Sequence, residues 1–218
     1  MSTNIIEGNP TKKFFIEMIT RDISIEDAII DLLDNSIDGA NKISPDDYSN
    51  LFVELTINDT EFSIRDNCGG FSLETAQKYA FRFGRPEEAP KVKNTVGRFG
   101  IGMKRSLFKI GKYFVVESES QQDHFKVEVN VDEWSKKTRQ VVVNGNQNTT
   151  IDDWSFNYEI INEDSLGYKG TYIHVTELNN EVKDLFADDS FLSDLVESIQ
   201  KLLNFSLLKG ITITLNGR

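Results

Sequence analysis

The sequence is poor in the residues that crosslink a chain or bind zinc. It contains one cysteine, Cys68, so no disulfide can form within the chain. Its two histidines, His124 and His174, lie far apart, which excludes a Cys/His zinc site. No apolar run approaches the roughly 20 residues that cross a bilayer, and no basic start precedes an apolar stretch as in a secretion signal. We therefore expect a cytoplasmic protein with no contact with a membrane.

Positive charge is also scarce. The chain has 24 lysines and arginines against 35 aspartates and glutamates, a net charge of −11 at pH 7. Such a surface repels nucleic acid, so direct nucleic-acid binding by this domain is not expected. A length of 218 residues, of which 39% are hydrophobic and 27% charged, is typical of a globular chain with room for one well-packed domain or two small ones.

The residue patterns predict helices that are separated from a run of strands. The strongest helix spans 24–43, where Ser24 and Asp27 resemble a capping box. The other predicted elements are a helix at 11–20, a strand pair at 51–57 and 61–66, helices at 72–83 and 100–111, strands within 112–178, a helical stretch at 180–208, and a strand at 211–217 that enters an Asn-Gly turn. Because the middle strands have no helices between them, this order favours an α+β layered domain over a doubly wound parallel sheet.

The helix at 24–43 has an acidic arc opposite its apolar side. The arc consists of Asp27, Asp31, Asp34, Asn35 and Asp38. Like charges four residues apart destabilise a helix by about 0.2–0.5 kcal/mol per pair. A cation bound nearby would explain four aspartates around one asparagine, and a solvated acidic face is the alternative that the pattern leaves open.

A glycine pair follows the second predicted strand, in the sequence "RDNCGGF" at 65–71. Gly69 and Gly70 permit a tight turn in which the backbone can approach a flat ligand. Asp66, at the end of the strand, could accept a hydrogen bond from a buried donor such as an exocyclic amine. An ordinary Asp-Asn-Gly turn is the alternative.

Three more glycines stand in "VGRFGIGMKRS" at 96–106, where they precede or open a helix. The free N–H groups of a helix N-terminus form an anion site, and Lys104 adds a positive charge one turn inside. The spacing differs from a P-loop, because the lysine arrives one place late and no Ser or Thr follows it. It also differs from a dinucleotide-binding fingerprint. A flexible loop that ends in a helix is the alternative.

Taken in series, these segments resemble the GHKL ATPase superfamily of gyrase B, the heat-shock chaperone, histidine kinases and MutL, closest in motif style to MORC-like ATPase domains. "DLLDNSIDGA" resembles the N box, "DNCGGF" and "GRFGIGMK" the two glycine boxes, and "KGTYIHV" the Gly-Thr box. The resemblance implies a two-layer α/β sandwich, the Bergerat fold, with a mixed, mainly antiparallel sheet. It also implies one ATP-binding domain over 1–218, a fragment of a longer protein, with an N-terminal segment at 1–23 and an ATP lid at 84–100.

The resemblance further implies ATP and Mg²⁺ as cofactors and assigns the site residues. Asp31 takes the place of the general base, and Asn35 that of the Mg²⁺ ligand, with Asp38 at the edge of the site. Asp66 takes the place of the aspartate that binds the adenine amino group. The other implied nucleotide contacts are Gly70, Phe71, Gly97, Arg98, Phe99, Gly100, Ile101, Gly102, Met103, Lys104 and Thr171.

Two positions depart from the family pattern. Cys68 replaces the first glycine of its box, and Asp31 replaces a glutamate that is one methylene longer. A displacement of about 1 Å at a reacting group can cost on the order of 100-fold in rate. We therefore expect Mg²⁺-dependent ATP binding with slow hydrolysis, which drives a conformational change or homodimerisation together with a downstream transducer domain. A nucleotide-gated binding module with little or no hydrolysis is the alternative, and a histidine kinase fits less well.

Overall fold

A computed structural model describes residues 8–84, 101–143, 147–162 and 166–218. The helices in this part of the chain are α1 (Lys12–Arg21), α2 (Ile25–Ile43), α3 (Leu73–Thr75), α4 (Gly102–Ile110), α5 (Val131–Lys136), α6 (Asn180–Phe186), α7 (Asp189–Leu202) and α8 (Asn204–Leu208). A π-helical turn, Ala76–Ala80, continues α3. The strands are β1 (Phe52–Ile57), β2 (Phe62–Asp66), β3 (Gly111–Glu119), β4 (His124–Asn130), β5 (Thr138–Val143), β6 (Gln147–Asp152), β7 (Glu159–Ile160), β8 (Gly170–Leu178) and β9 (Thr212–Leu215).

The main sheet has the strand order β7-β4-β3-β8-β2-β1-β9. Its strands pair antiparallel except β1 and β9, which are parallel. This arrangement confirms the prediction of an α+β fold with a mixed, mainly antiparallel sheet. The order places β8 between β2 and β3, so Thr171 lies opposite Asp66 on one side and Ser118 on the other.

The core lies between the helices and one face of the sheet. Alternate residues of β1, such as Val53 and Leu55, are buried, as are Ile29 and Leu33 on the apolar side of α2. This alternation is expected of a sheet with one packed face. The result is a layer of helices on a layer of strands, as the sequence patterns predict. None of the helices in the described part of the chain is long and apolar enough to span a bilayer.

Helix α2 starts where its predicted cap lies. The hydroxyl of Ser24 accepts a hydrogen bond of 2.9 Å from the backbone N–H of Asp27 and donates one of 2.8 Å to the Asp27 carboxylate. A side-chain acceptor at this place satisfies one of the unpaired N–H groups at a helix start. Ser24 therefore fixes where α2 begins, and the apolar stripe then fixes which side of the helix meets the sheet.

Helix α1 is held against the rest of the chain by a buried lysine. Lys12 is 1% exposed, and its amine donates to the carbonyl oxygens of Trp134, Lys137 (2.6 Å) and Asp153 (2.9 Å). It also lies 4.7 Å above the centre of the Trp134 ring. Burial lowers the pKa of Lys12, and the carboxylates of Asp152 and Asp153 oppose that shift. These contacts join α1 to α5 and to the β5–β6 hairpin.

The region between β4 and β8 differs most from the sequence prediction. The strands predicted within 112–178 include the sequence "WSFNYEII" at 154–161, but only Glu159–Ile160 of it forms a strand, and the helix α5 lies in the same predicted run of strands. Aromatic packing explains the difference, because the Phe156 ring stacks on that of Trp134 at 5.1 Å. A strand would turn every second side chain away from this cluster.

Candidate functional site

Asp66 ends β2 on the packed side of the sheet and is 5% exposed. One carboxylate oxygen accepts the Ser36 hydroxyl at 2.7 Å. The other accepts the backbone N–H groups of Cys68 at 2.8 Å and Thr171 at 3.3 Å. Burial raises the pKa of Asp66, and these three hydrogen bonds offset only part of that rise. Since a carboxylate offers about four acceptor positions, one more donor can be accepted here.

The turn after Asp66 requires its glycines. Gly69 and Gly70 have φ angles of +88° and +59°, which lie in the left-handed region. A Cβ atom on Gly70 would lie 2.4 Å from the carbonyl oxygen of Glu119 and 2.7 Å from that of Gly170. Only glycine fits such an approach, and the tight turn expected from the glycine pair is therefore present.

Cys68 is accommodated where the family pattern has glycine. Its side chain is 3% exposed, and its sulfur lies 4.0 Å from the Phe52 carbonyl oxygen. Helix α2 approaches Cys68 closely at Gly39, since a Cβ atom on Gly39 would lie 2.5 Å from the Cys68 carbonyl oxygen. Burial raises the pKa of the Cys68 thiol. The thiol is therefore a packing group beside Asp66.

Phe71 leaves the turn on the same side of the sheet. Its backbone N–H donates to the Ser118 hydroxyl at 2.8 Å, and that hydroxyl donates back to the Phe71 carbonyl at 3.1 Å. Its ring contacts that of Phe125 edge to face, with 5.5 Å between centres. Because Ser118 pairs with Thr171 in the sheet, these bonds hold Phe71 near the Asp66 carboxylate.

The acidic arc of α2 is exposed at Asn35 and half-buried at Asp31, Asp34 and Asp38. The Asn35 amide nitrogen donates to the Asp31 carbonyl oxygen at 2.9 Å, so the oxygen end of the carboxamide is the end presented outward. Burial, with added repulsion from Asp31 and Asp38, raises the pKa of Asp34 to about 6. The three carboxylates therefore form a region of concentrated negative charge beside an outward-facing amide oxygen.

The first turn of α4 lies against Asp31. One Asp31 carboxylate oxygen is 2.7 Å from the Arg105 guanidinium, and a Cβ atom on Gly102 would lie 3.7 Å from the same oxygen. Ile101 and Met103, on either side of Gly102, are half-buried. No side chain in the described ranges caps the start of α4 at Ile101. The start of α4 is thus a place where backbone N–H groups and an acidic helix meet.

The Lys104 amine lies at the end of the π-helical turn. It donates to the carbonyl oxygen of Ala80 and lies 5.4 Å above the centre of the Phe83 ring, and the residue is 1% exposed. Burial lowers the pKa of Lys104 to about 7. These contacts join α4 to the end of the π-helical turn, and a phosphate contact through Lys104 stays a prediction.

Part of the predicted site lies outside the described residues. This part includes most of the lid at 84–100 and four predicted contacts, Gly97, Arg98, Phe99 and Gly100. Their roles stay predictions.

Helix α2 connects the described parts of the site. Ser36 bonds Asp66, and Asp31, five residues earlier, bonds Arg105. At 1.5 Å per residue, this separation is roughly 7.5 Å along the helix. Ser36 and Arg105 were missed in the sequence, although a serine on the packed side of an amphipathic helix was a usable signal. Thr171, Phe71 and Gly70 gather at the Asp66 end, and Gly102 and Asn35 at the Asp31 end.

The oxygen atoms of Asn35 and of the nearby carboxylates suit a metal ion whose coordination shell is completed by a bound ligand. Among the described residues, no group of three or more His, Cys, Asp or Glu side chains is arranged to hold a metal ion by itself. Mg²⁺ commonly takes one or two protein oxygens and completes its shell with phosphate oxygens and water. The outward amide oxygen of Asn35, with carboxylates around it, fits that second arrangement.

A separate apolar cavity of about 530 Å³ lies beyond α3 and the π-helical turn, lined by Phe81, Phe83, Trp154 and Phe156 among others. None of the predicted site residues that the structure describes lines it. The described part of its wall is mainly apolar and offers little to orient a triphosphate, so we do not place a nucleotide there.

A sheet with helices on one side, a buried aspartate beside a glycine turn, and an acidic helix against a glycine-opened helix define the ATP-binding domain of the GHKL class. A family model described as "Histidine kinase-, DNA gyrase B-, and HSP90-like ATPase" matches residues 23–167, and the chain belongs to this family. Membership implies ATP binding. The match does not single out MORC-like members, and a search of curated proteins finds no match.

Proposed function

We propose that this domain binds ATP with Mg²⁺ and hydrolyses it slowly, and that the nucleotide drives a conformational change or homodimerisation of a larger protein. The observation that carries the proposal is that α2 contacts both a buried aspartate, through Ser36, and the start of α4, through Asp31. ATP has a base that donates hydrogen bonds at one end and a triphosphate at the other. The two ends of the site match those two chemistries.

Asp66 receives the adenine amino group in this proposal. Its carboxylate is already held by three protein donors, and so its remaining acceptor position is fixed in direction. Gly70 has no side chain to block a flat ring, and Thr171 and Phe71 border the same place. Preorganised acceptors of this kind lower the ordering cost of binding.

The phosphates lie at the start of α4. Backbone N–H groups and the helix dipole attract anions there, with Ile101, Gly102 and Met103 forming the described part of the cradle. Asn35 supplies the protein oxygen for Mg²⁺, and Asp38 borders the site on the same arc of α2. The cation offsets the repulsion between the phosphates and the aspartates of α2.

Asp31 acts as the general base that polarises the attacking water. Phosphoryl transfer depends mainly on positioning and charge stabilisation. Since aspartate is one methylene shorter than the usual glutamate, we expect slow turnover in this isolated chain.

The test is a binding titration with ATP and GTP, each with Mg²⁺ and with EDTA. We expect ATP to bind more tightly with Mg²⁺, and GTP to bind at least tenfold more weakly, because guanine carries a carbonyl where adenine carries the amino donor. Equal binding of the two nucleotides, or no binding, would contradict the assignment of Asp66.

A second candidate is a nucleotide-gated module that scarcely hydrolyses ATP. The short side chain of Asp31 favours it, because a carboxylate one methylene shorter than that of glutamate reaches less far toward an attacking water molecule. Single-turnover phosphate release from the full-length protein separates the two. Release well above the uncatalysed rate supports the ATPase, and release at that rate supports the module.

Homodimerisation is tested by size measurement with and without a non-hydrolysable ATP analogue. Helix α1 packs on its own chain through Lys12 but exposes Phe14 (56%) and Met18 (45%), one turn apart. We expect a larger species only with the analogue, and Phe14→Ser to reduce it. A monomer under both conditions would contradict this part of the proposal.

A further inference from the structure

We propose that Arg105 is a positioning residue for hydrolysis, which holds the short side chain of Asp31 at the start of α4. This inference rests on the proposed ATPase function. Arg105 takes no part in binding the nucleotide; it acts through Asp31.

The geometry ties Arg105 to Asp31 by a long-range contact. The guanidinium Nη2 lies 2.7 Å from the Asp31 carboxylate, and the two residues are 74 positions apart in the sequence. The two side chains are 33% and 26% exposed, so water screens the pair less than it screens a surface pair. The contact therefore links α2 to α4 at the place assigned to the reacting phosphate.

The ion pair draws the Asp31 carboxylate toward α4, which is the direction that a general base with a short side chain requires. Asp31 must reach toward α4 with one methylene fewer than glutamate, and its carboxylate lies near Gly102, the first residue of α4. Asp34, three residues further along α2, repels the same carboxylate. The guanidinium fork of Arg105 on α4 counteracts that repulsion and holds one oxygen of the carboxylate through a charge-assisted hydrogen bond from Nη2.

Two further observations separate positioning from phosphate binding. The backbone N–H of Arg105 donates to the Ile101 carbonyl at 2.8 Å, so it is committed within α4 and is not available to an anion. The Arg105 Nε is buried without a hydrogen-bond partner among the described residues. A donor buried in this way is not presented to an anion that arrives from solvent, which favours positioning over phosphate binding.

The experiment compares R105A, R105K and D31N in single-turnover hydrolysis and in equilibrium ATP binding. We expect R105A to slow hydrolysis by about 10- to 100-fold, the range that a misplacement near 1 Å produces, and to change the ATP Kd less than about threefold. R105K keeps the charge but lacks the fork, so an intermediate rate is expected. K109A is the matched control, since Lys109 lies on the same helix and pairs at 3.5 Å with the exposed Glu181.

The double variant D31N/R105A provides the decisive comparison. We expect it to hydrolyse no more slowly than D31N alone, because Arg105 acts only through Asp31. Nucleotide-free thermal unfolding gives a second readout, in which the two single changes should be non-additive.

A wild-type rate in R105A, an additive loss in the double variant, or an ATP Kd that weakens as much as the rate falls would overturn the inference. If R105A does not fold, R105K carries the same comparison. A wild-type chain that binds ATP but releases no phosphate overturns the proposed hydrolysis itself, whereas an active wild type with an unaffected R105A overturns only the role of Arg105.

Discussion

The two ends of the site are built differently. At one end Asp66 is buried and receives three hydrogen bonds from the protein. At the other end Asp31 is partly exposed and has one ion pair, with Arg105, while Asn35 is exposed. The first end is complete before a ligand arrives, whereas the second end concentrates negative charge that a cation and a ligand would balance. In the proposed site, recognition of adenine would therefore depend on preorganised geometry, and events at the phosphates would depend on charge.

The largest effect is expected at the charge-dependent end. Asp31→Asn removes the proposed base but keeps its size, so we expect hydrolysis to fall by about 100-fold or more while ATP still binds. Single-turnover phosphate release and a binding titration measure the two effects separately. Unchanged turnover would remove Asp31 from its role.

Asp66→Asn removes the charged acceptor at the preorganised end of the site. Hydrogen bonds to charged groups contribute about 1.5–3 kcal/mol, so we expect ATP binding to weaken by roughly 10- to 100-fold. Ser36→Ala removes one of the three donors and should weaken binding less. A binding titration measures both, with a melting curve to verify that each variant is folded. A Kd unchanged in Asp66→Asn would show that the base lies elsewhere.

The buried amine of Lys104 predicts a pH dependence of stability. Its pKa is lowered from 10.5 in the unfolded chain to about 7 in the folded chain. Between those values the unfolded state binds more protons, so the contribution of Lys104 to stability rises with pH through this window and is constant below about pH 7. Lys104→Met should flatten this rise in the free energy of unfolding, which is about 1.4 kcal/mol per pH unit within the window. Lys109→Met, on the same helix, is the control and should keep the slope.

Asp34 predicts a smaller pH effect of the opposite sign. Its pKa is raised from 3.8 to about 6 in the folded chain. The folded state binds more protons between these values, so stability falls as pH rises from about 4 to about 6 and stays lower above that range. Asp34→Asn should therefore raise Tm at pH 7 by about 2–4 °C and by less at pH 4. Mg²⁺ with ATP should shrink this difference, because the cation favours the charged carboxylate. A difference unchanged by Mg²⁺ and ATP would place the cation away from α2.

Local features of the fold were readable from the sequence. The capped start of α2 at Ser24 and the turn at Gly69 and Gly70 depend on neighbouring residues, and the structure contains both. The final strand also enters its predicted turn, with positive φ at Asn216 and Gly217. Each of these follows from the conformational preferences of a few consecutive residues.

Contacts between distant residues were not readable in the same way. The bonds from Ser36 to Asp66 and from Arg105 to Asp31 join residues 30 and 74 positions apart. The reason for a glycine at the end of the helix predicted at 100–111 was not readable either, because the φ of Gly111 is −160°, an extended value that any residue adopts. Its lack of a side chain matters for another reason, since a Cβ atom there would lie 2.8 Å from the Thr176 carbonyl oxygen.

Helix α2 fixes the distance between the two ends of the proposed site. Asp31, at the proposed phosphate end, and Ser36, which bonds Asp66 at the proposed adenine end, lie five positions apart on one helix. Loops elsewhere can vary in length without altering that interval. Inserting one residue between the two positions would turn one of them by 100° around the helix axis. A one-residue insertion at this place should therefore be more harmful than much longer insertions at the surface.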